Sequence, residues 1–120
     1  MIKQMIVMRN DLNMRKGKMV AQGAHASIMF LRDAVMRDGE LTDLELQWFE
    51  HGMKKICARA DTEQELLDIA QKAKEAGLTV HVITDAGHTE FAGVPTKTCL
   101  CIGPNKTDEI DKITGHLKLL

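Results

Sequence analysis

Apolar and polar residues are arranged along this chain in short blocks, and the period of each block predicts a strand or a helix. The first strand is predicted from Ile2 to Met8, because a continuous apolar run is typical of a strand covered on both faces. A long helix, apolar on nearly every side, is predicted from Lys16 to Met36, before the stop signal Asp38-Gly39. A shorter helical segment from Thr42 to His51 and a strand from Lys55 to Arg59 follow.

The second half of the chain continues this alternation. Thr62-Glu-Gln-Glu65 is a capping-box sequence, and the helix that it starts is predicted to end at Gly77. The segment from Thr79 to Thr84, rich in β-branched residues, predicts a third strand, in which we interpret His81 as a half-buried sheet residue rather than a ligand. The last predicted elements are a loop from Asp85 to Pro95, a strand from Thr96 to Ile102 that Gly103-Pro104-Asn105 closes, and a helix from Thr107 to Thr114.

Strands that alternate with helices indicate an α/β fold, with helices on both faces of a short mixed sheet. The 120 residues suffice for one domain, residues 1–120, that buries roughly two-thirds of its unfolded surface. No apolar stretch approaches the roughly 20 residues of a membrane span, so we expect no membrane association. The three cysteines, an odd number, indicate buried thiols in a reducing cytoplasm.

A polar stripe interrupts the long apolar helix near its start. Lys18, Gln22 and His25 are spaced i, i+4 and i+7, so their side chains project from one side of the helix. Polar groups in apolar surroundings cost free energy unless each finds a partner. Two interpretations are open at this point: a functional site, or a helix end with solvated polar residues.

Two polar segments leave predicted strands at their carboxyl ends, where open α/β sheets bind ligands. Residues 9–18 carry Arg9, Arg15, Lys16 and Lys18, and residues 85–89 follow the third strand. The net charge is only −1, but residues 1–40 hold seven Lys and Arg against four Asp and Glu, so this cluster offers a local basic surface. With three Phe, one Trp and no Tyr, an aromatic base-stacking platform is not expected, and RNA would be contacted mostly through phosphates.

A family resemblance rests on the same two segments. The first segment resembles the signature of the type II peptidyl-tRNA hydrolases at Arg9, Asp11, Leu12, Met14, Gly17, Lys18, Ala21, Gln22, His25 and Ala26. Asp85-Ala-Gly-His-Thr89 and the segment from Thr98 to Pro104 resemble two further family motifs, and the likeness extends from about Met5 to Leu120. The resemblance implies a three-layer α/β/α domain of about four strands, often a homodimer, that hydrolyses the ester between a peptide and the 3′-terminal ribose of tRNA.

The resemblance also implies roles for individual residues, in a reaction that uses an activated water and neither a cofactor nor a metal. The implied catalytic residues are Lys18, Gln22, His25, Asp85, Thr89 and Thr98, and the implied tRNA-binding residues are Arg9, Asp11, Arg15 and Lys16. Asp85 would position the water, alone or with His25. Lys18 would stabilise the oxyanion with Thr89 or Thr98, while Gln22 would hold the ribose or the water.

Three departures from the family pattern lie in the loop after the third strand. His88 stands where arginine is frequent, Glu90 stands where glutamine is common, and the stretch at residues 92–95 is one residue longer. The first two changes weaken the attraction of this loop for phosphate. We therefore expect the three departures to alter tRNA affinity or preference.

Two other functions are considered beside the hydrolase. The first is a non-catalytic module on the same fold that binds an RNA end or a protein partner, for which Leu46, Trp48 and Phe49 offer either a partner surface or core packing. The second is a redox role for Cys99 and Cys101. It is disfavoured because a C-x-C pair on a strand has no activating helix N-terminus.

Overall fold

Strands and helices alternate along the chain as the hydrophobic pattern predicts. The computed structural model describes residues 1–88 and 90–120. Its elements in chain order are β1 (Ile2–Arg9), α1 (Lys16–Arg37), α2 (Asp43–Glu50), β2 (Lys55–Ala60), α3 (Glu63–Glu75), β3 (Val80–Asp85), β4 (Thr96–Lys106) and α4 (Thr107–Thr114). Within the described residues, no helix is both long enough and apolar enough to cross a membrane.

The sheet is mixed, in the order β2-β1-β4-β3. β1 pairs with β2 in parallel, whereas β4 runs antiparallel to both of its neighbours, β1 and β3. β1 and β3 therefore point the same way, and their carboxyl ends at Arg9 and Asp85 flank the start of β4. This topology confirms the predicted α/β fold and brings the two predicted site segments to one end of the sheet.

Helices cover both faces of the sheet, which explains the continuous apolar run in β1. Met5 and Val7 face one side, where α3 and α4 contribute the buried residues Leu66, Ile69, Ala73 and Ile110. Ile6 and Met8 face the other side and pack with Ala26 of α1. Because successive strand residues point to opposite faces, a strand covered on both faces buries side chains at successive positions, and the run from Met5 to Met8 is accordingly apolar throughout.

The end of β4 differs from the prediction. Gly103-Pro104-Asn105 was expected to close the strand, but the strand continues through it, with Asn105 opposite Lys3 and Lys106 opposite Ile2. Gly103 adopts φ +102°, and a Cβ there would lie 2.5 Å from the carbonyl oxygen of Lys3. A register shift between Lys3 and Met5 accommodates the extra residue, so these residues form an irregularity within the strand instead of its end.

Two helix starts carry the T-x-x-E sequence of a capping box. At α3, where the box was predicted, the Thr62 hydroxyl accepts from the Glu65 backbone N–H at 3.0 Å, which is one half of the box. The full reciprocal pair forms at α2, where the Thr42 hydroxyl accepts from the Glu45 N–H and the Glu45 carboxylate accepts from the Thr42 N–H. His81 on β3 is half-buried, as predicted, and its Nε2 lies 2.6 Å from Asp33 Oδ2.

Candidate active site

A charged pair joins the start of α1 to the end of β3. Lys18 Nζ donates to Asp85 Oδ1 at 2.9 Å, and the two side chains are 13% and 15% exposed. The Gln22 side-chain amide lies 3.4 Å from the same carboxylate oxygen, and the backbone N–H of Gly87 donates to Asp85 Oδ2 at 2.9 Å. The Asp85 carboxylate is therefore held by two side chains of α1 and by the backbone of the turn that follows β3.

The local sequence explains how these groups meet. Lys18 and Gln22 are one helical turn apart, so both side chains lie on the side of α1 that faces the end of β3. Gly87 has φ +86°, and a Cβ there would clash with the backbone carbonyl of Val94. Only glycine allows the loop after Asp85 to fold back this closely, which is the physical basis of the Asp-x-Gly pattern.

The amide of Gln22 is oriented from the sheet. Thr98 is fully buried in β4, and its hydroxyl donates to Gln22 Oε1. With the carbonyl oxygen fixed in this way, the amide nitrogen faces Asp85. Since Thr98 is 0% exposed, we interpret it as a residue that positions Gln22 rather than as a direct contact with a substrate oxyanion.

The electrostatics of the site favour an ionised carboxylate. The hydrogen bond from Lys18 lowers the pKa of Asp85 below its usual range, and the Gly87 N–H acts in the same direction, while desolvation opposes both. Asp85 is therefore an anion at neutral pH. A carboxylate of this kind is a good hydrogen-bond acceptor for water and a weak proton acceptor.

Arg9 and Asp11, predicted to bind tRNA, bind each other. The guanidinium donates to both carboxylate oxygens of Asp11, at 3.1 and 2.7 Å, and its third nitrogen donates to the Lys97 carbonyl at 3.0 Å. This pairing lowers the pKa of Asp11 and raises that of Arg9. The pair connects the end of β1 to the residue before Thr98, and the tRNA contact expected of both residues stays a prediction.

The other two predicted tRNA-binding residues face solvent. The Arg15 side chain is 90% exposed, and its Nε lies 3.7 Å from a carboxylate oxygen of Glu90. Lys16 is also exposed. Glu90, one of the departures from the family pattern, thus places a negative charge beside a cation that was predicted to contact phosphate.

His25 is a predicted catalytic residue that lies outside the network described above. His25 is exposed on α1 and has no hydrogen bond or ion pair to the residues that the structure describes. Thr89 lies outside the described residues. Phe91, which the sequence reasoning did not select, lies at the site, with Lys18 Nζ 5.7 Å from the centroid of its ring.

The cysteines are not placed for chemistry. Cys99 and Cys101 are buried as predicted, but Cys57 is exposed because it lies on the edge strand β2. Burial raises the pKa of Cys99 to about 11 and raises that of Cys101 further, so both thiols stay protonated at neutral pH. Across residues 1–88 and 90–120, no three His, Cys, Asp or Glu side chains are grouped so that they could hold a metal ion.

The fold and the site together define an α/β protein with a charged polar network at the carboxyl ends of two strands. A family model described as peptidyl-tRNA hydrolase PTH2 matches residues 2–120. The chain belongs to this family, which confirms the resemblance seen in the sequence.

Individual relatives agree with the family match. A peptidyl-tRNA hydrolase from Methanocaldococcus jannaschii is 48% identical over 119 residues, covering 99% of this chain and 100% of the relative. One from Methanothermobacter thermautotrophicus is 46% identical over 120 residues, with 99% and 100% covered. The human protein named peptidyl-tRNA hydrolase 2, mitochondrial, is 43% identical across 98% of this chain and 63% of its own length.

A comparison of folds gives a more distant match. A protein of unknown function from Agrobacterium tumefaciens strain C58 superposes with a TM-score of 0.62 at 14% identity, covering 98% of this chain and 96% of the other. At this identity the match supports the fold alone.

Proposed function

We propose that this protein hydrolyses the ester bond between a peptide, or an N-blocked amino acid, and the 3′-terminal ribose of tRNA. Membership of the family supports the reaction. The observation that carries the site is the hydrogen-bonded network in which Lys18, Gln22, Asp85 and Thr98 meet from α1, β3 and β4. The alternative of a non-catalytic module is not favoured by the names of the relatives.

In this proposal Asp85 aims the attacking water. Its carboxylate is held on both oxygens, by Lys18 and Gln22 on one and by Gly87 on the other, so its direction is preset before substrate binds. A water hydrogen-bonded to this anion presents its oxygen lone pair to the ester carbonyl. Preset geometry of this kind lowers the barrier because little reorganisation remains at the moment of reaction.

Lys18 supplies the positive charge. Attack of the water oxygen on the carbonyl carbon gives a tetrahedral oxyanion, and a cation in a site with little water stabilises that charge strongly. The carbon–oxygen bond to the ribose then breaks, and the departing 3′ oxygen takes up the proton that the attacking water gave up, so that one water is consumed and its hydroxyl stays on the peptide's carboxyl carbon. His25, which is exposed two turns further along α1, would assist this transfer through solvent, as the family resemblance implies.

The acceptor end of the tRNA would be held by exposed cations. Arg15 and Lys16 lie at the start of α1, just before Lys18, where their charges reach solvent. Arg9 and Asp11 would act behind them by holding the loop to β4. Thr89 would contribute to the oxyanion site as the family resemblance implies.

We also propose that the protein is a homodimer that works in the cytoplasm. Exposed apolar residues Val20 and Ile28 form a ridge on α1 that is itself one wall of an apolar groove of about 770 Å³, whose lining also includes Gly23, Ser27, Phe30, Trp48, Met53 and Cys57. In a two-fold dimer the same surface serves both copies, so the ridge of one copy would fill the groove of the other.

Charged variants Val20→Lys and Ile28→Lys should convert a particle with the mass of two chains into one with the mass of one, as measured by light scattering. A single-chain mass for the parent would refute the dimer.

The activity itself is tested by release of N-acetyl-aminoacyl groups from tRNA. The parent should turn over, and Lys18→Ala should reduce kcat by about 10²–10³-fold, the usual cost of removing an oxyanion stabiliser. Asp85→Ala should lose activity to a similar extent. Lys74→Ala, an exposed lysine at the end of α3, is the matched control and should keep parent activity. Binding of tRNA without turnover by the parent would instead support the binding module.

A further inference from the structure

The four aromatic side chains of this protein divide between two places. Phe30, Trp48 and Phe49 contact one another, with ring centroids 5.0 to 5.9 Å apart, in the layer formed by α1 and α2. Phe91 is the fourth, in the loop between β3 and β4, where its ring lies beside Lys18. The one aromatic ring outside the cluster is therefore at the proposed active site.

The position of Phe91 is fixed by its own loop. The Val94 N–H donates to the Phe91 carbonyl at 2.9 Å, and the Gly93 N–H donates to the Gly87 carbonyl at 2.8 Å. One side of the ring packs against the core cluster under α1, and the residue as a whole is only half-buried. Part of an anchored aromatic ring thus stays accessible next to the catalytic lysine.

We propose that the exposed part of Phe91 stacks on the terminal base of the tRNA, an inference that rests on the proposed function. The scissile ester is on the terminal ribose, so a substrate placed at Lys18 and Asp85 carries its last base on the same sugar. The 3′ end of tRNA is single-stranded, and unpaired bases are recognised mainly by stacking on aromatic rings. The ammonium group of Lys18 lies over the Phe91 ring, 5.7 Å from its centroid, and cation–π attraction between the two keeps the ring beside the position of the ester.

This proposal changes one expectation from the sequence. Few aromatic residues argued against a stacking platform, and three of the four rings are indeed used in a separate cluster. A surface for several stacked bases is therefore not built from these residues. A single ring suffices for one base, and the proposed reaction takes place within one nucleotide of the chain end.

The test uses two N-acetyl-aminoacyl-tRNAs that differ only at the terminal nucleotide, one with adenine and one with a ribose that lacks a base. Phe91→Leu keeps an apolar side chain but removes the ring. It should raise KM for the adenine-ended tRNA by about tenfold, within the range found for base–aromatic stacking, and leave KM for the base-free tRNA unchanged. Phe91→Trp should restore the parent KM. Val94→Ala, an exposed apolar residue of the same loop, is the control and should change neither KM.

The possible results distinguish a failure of base stacking from a failure of the proposed hydrolase function. An equal effect of Phe91→Leu on both tRNAs would overturn stacking on the base, and so would an effect that follows the amino-acid side chain rather than the base. Turnover of neither tRNA by the parent would instead refute the proposed function. Thermal unfolding of Phe91→Leu at the parent temperature would show that a changed KM does not come from a loosened fold.

Discussion

Thr98→Val tests whether the buried hydroxyl serves the chemistry or only the fold. Valine has nearly the same shape as threonine but lacks the hydroxyl that donates to Gln22 Oε1. Thr98 is 0% exposed and Gln22 is 7% exposed, so water does not readily replace the lost donor. A buried acceptor without a partner costs about 1–3 kcal/mol, and we expect the free energy of unfolding to fall by that amount.

The same substitution should slow the reaction. Without the threonine, the Gln22 amide can rotate, and its nitrogen no longer faces Asp85 consistently. The lysine contact to Asp85 at 2.9 Å is unaffected, so the carboxylate loses the longer of its two side-chain contacts. We expect kcat to fall by about tenfold, which corresponds to about 1.4 kcal/mol of transition-state stabilisation.

The assay combines turnover of N-acetyl-aminoacyl-tRNA with urea unfolding. Thr98→Ser retains the hydroxyl and should restore kcat even if packing is poorer. If Thr98 acts only through Gln22, Thr98→Val should reduce kcat little further in a Gln22→Met background, because the two substitutions remove one interaction. Parent kcat in a destabilised Thr98→Val variant would refute the reasoning, and so would fully additive losses in the double variant.

Three further predictions follow from the charges around the site. His25→Ala should lower kcat by less than tenfold, because this residue is exposed and has no orienting partner among the described residues; a loss as large as that of Lys18→Ala would contradict this. Glu90→Gln should lower KM for tRNA by about twofold at low salt and have no effect at high salt, since it removes a carboxylate 3.7 Å from Arg15; an unchanged KM at low salt would contradict it. The pKa of Asp85 in the folded protein is lowered from 3.8. Its carboxylate should therefore contribute fully to the free energy of unfolding above that pH, and this contribution should be lost as the pH falls through the folded pKa. In urea unfolding, the stability difference between the parent and Asp85→Asn should therefore be constant from about pH 7 to 5, and a decline within that interval would refute the assignment.

Local patterns predicted the elements well because each depends on neighbouring residues. α4 has the predicted bounds, and β1 and α1 extend one residue beyond theirs. The predicted end of β4 was wrong because glycine and proline are typical turn residues, so Gly103 and Pro104 were expected to close the strand. The strand continues past them because Asn105 and Lys106 pair with Lys3 and Ile2, about a hundred positions earlier in the chain, and local sequence carries no information about this pairing.

The meeting of the two predicted site segments has a different physical reason. Strand direction brings residues 9–18 and 85–89 to one end of the sheet, and this much follows from the order of elements. Helical spacing placed Lys18, Gln22 and His25 on one side of α1, but it does not say how far along the helix the site extends. Seven residues span about 10.5 Å, so His25 lies well beyond the point where Lys18 meets Asp85.

Arg9 and Asp11 show what residue type alone leaves open about a predicted RNA contact. An arginine in a basic segment at a strand end is an ordinary candidate for binding phosphate, and sequence spacing does not tell whether its guanidinium faces solvent. Here the acid two residues later occupies one edge of the guanidinium and the Lys97 carbonyl occupies another. Since Arg9 is 9% exposed, a phosphate would have to displace Asp11 to reach it, whereas Arg15 already faces solvent. The cations that bind tRNA should therefore be sought on the exposed start of α1, and the buried cation should be expected to hold β4, and with it Thr98, in place.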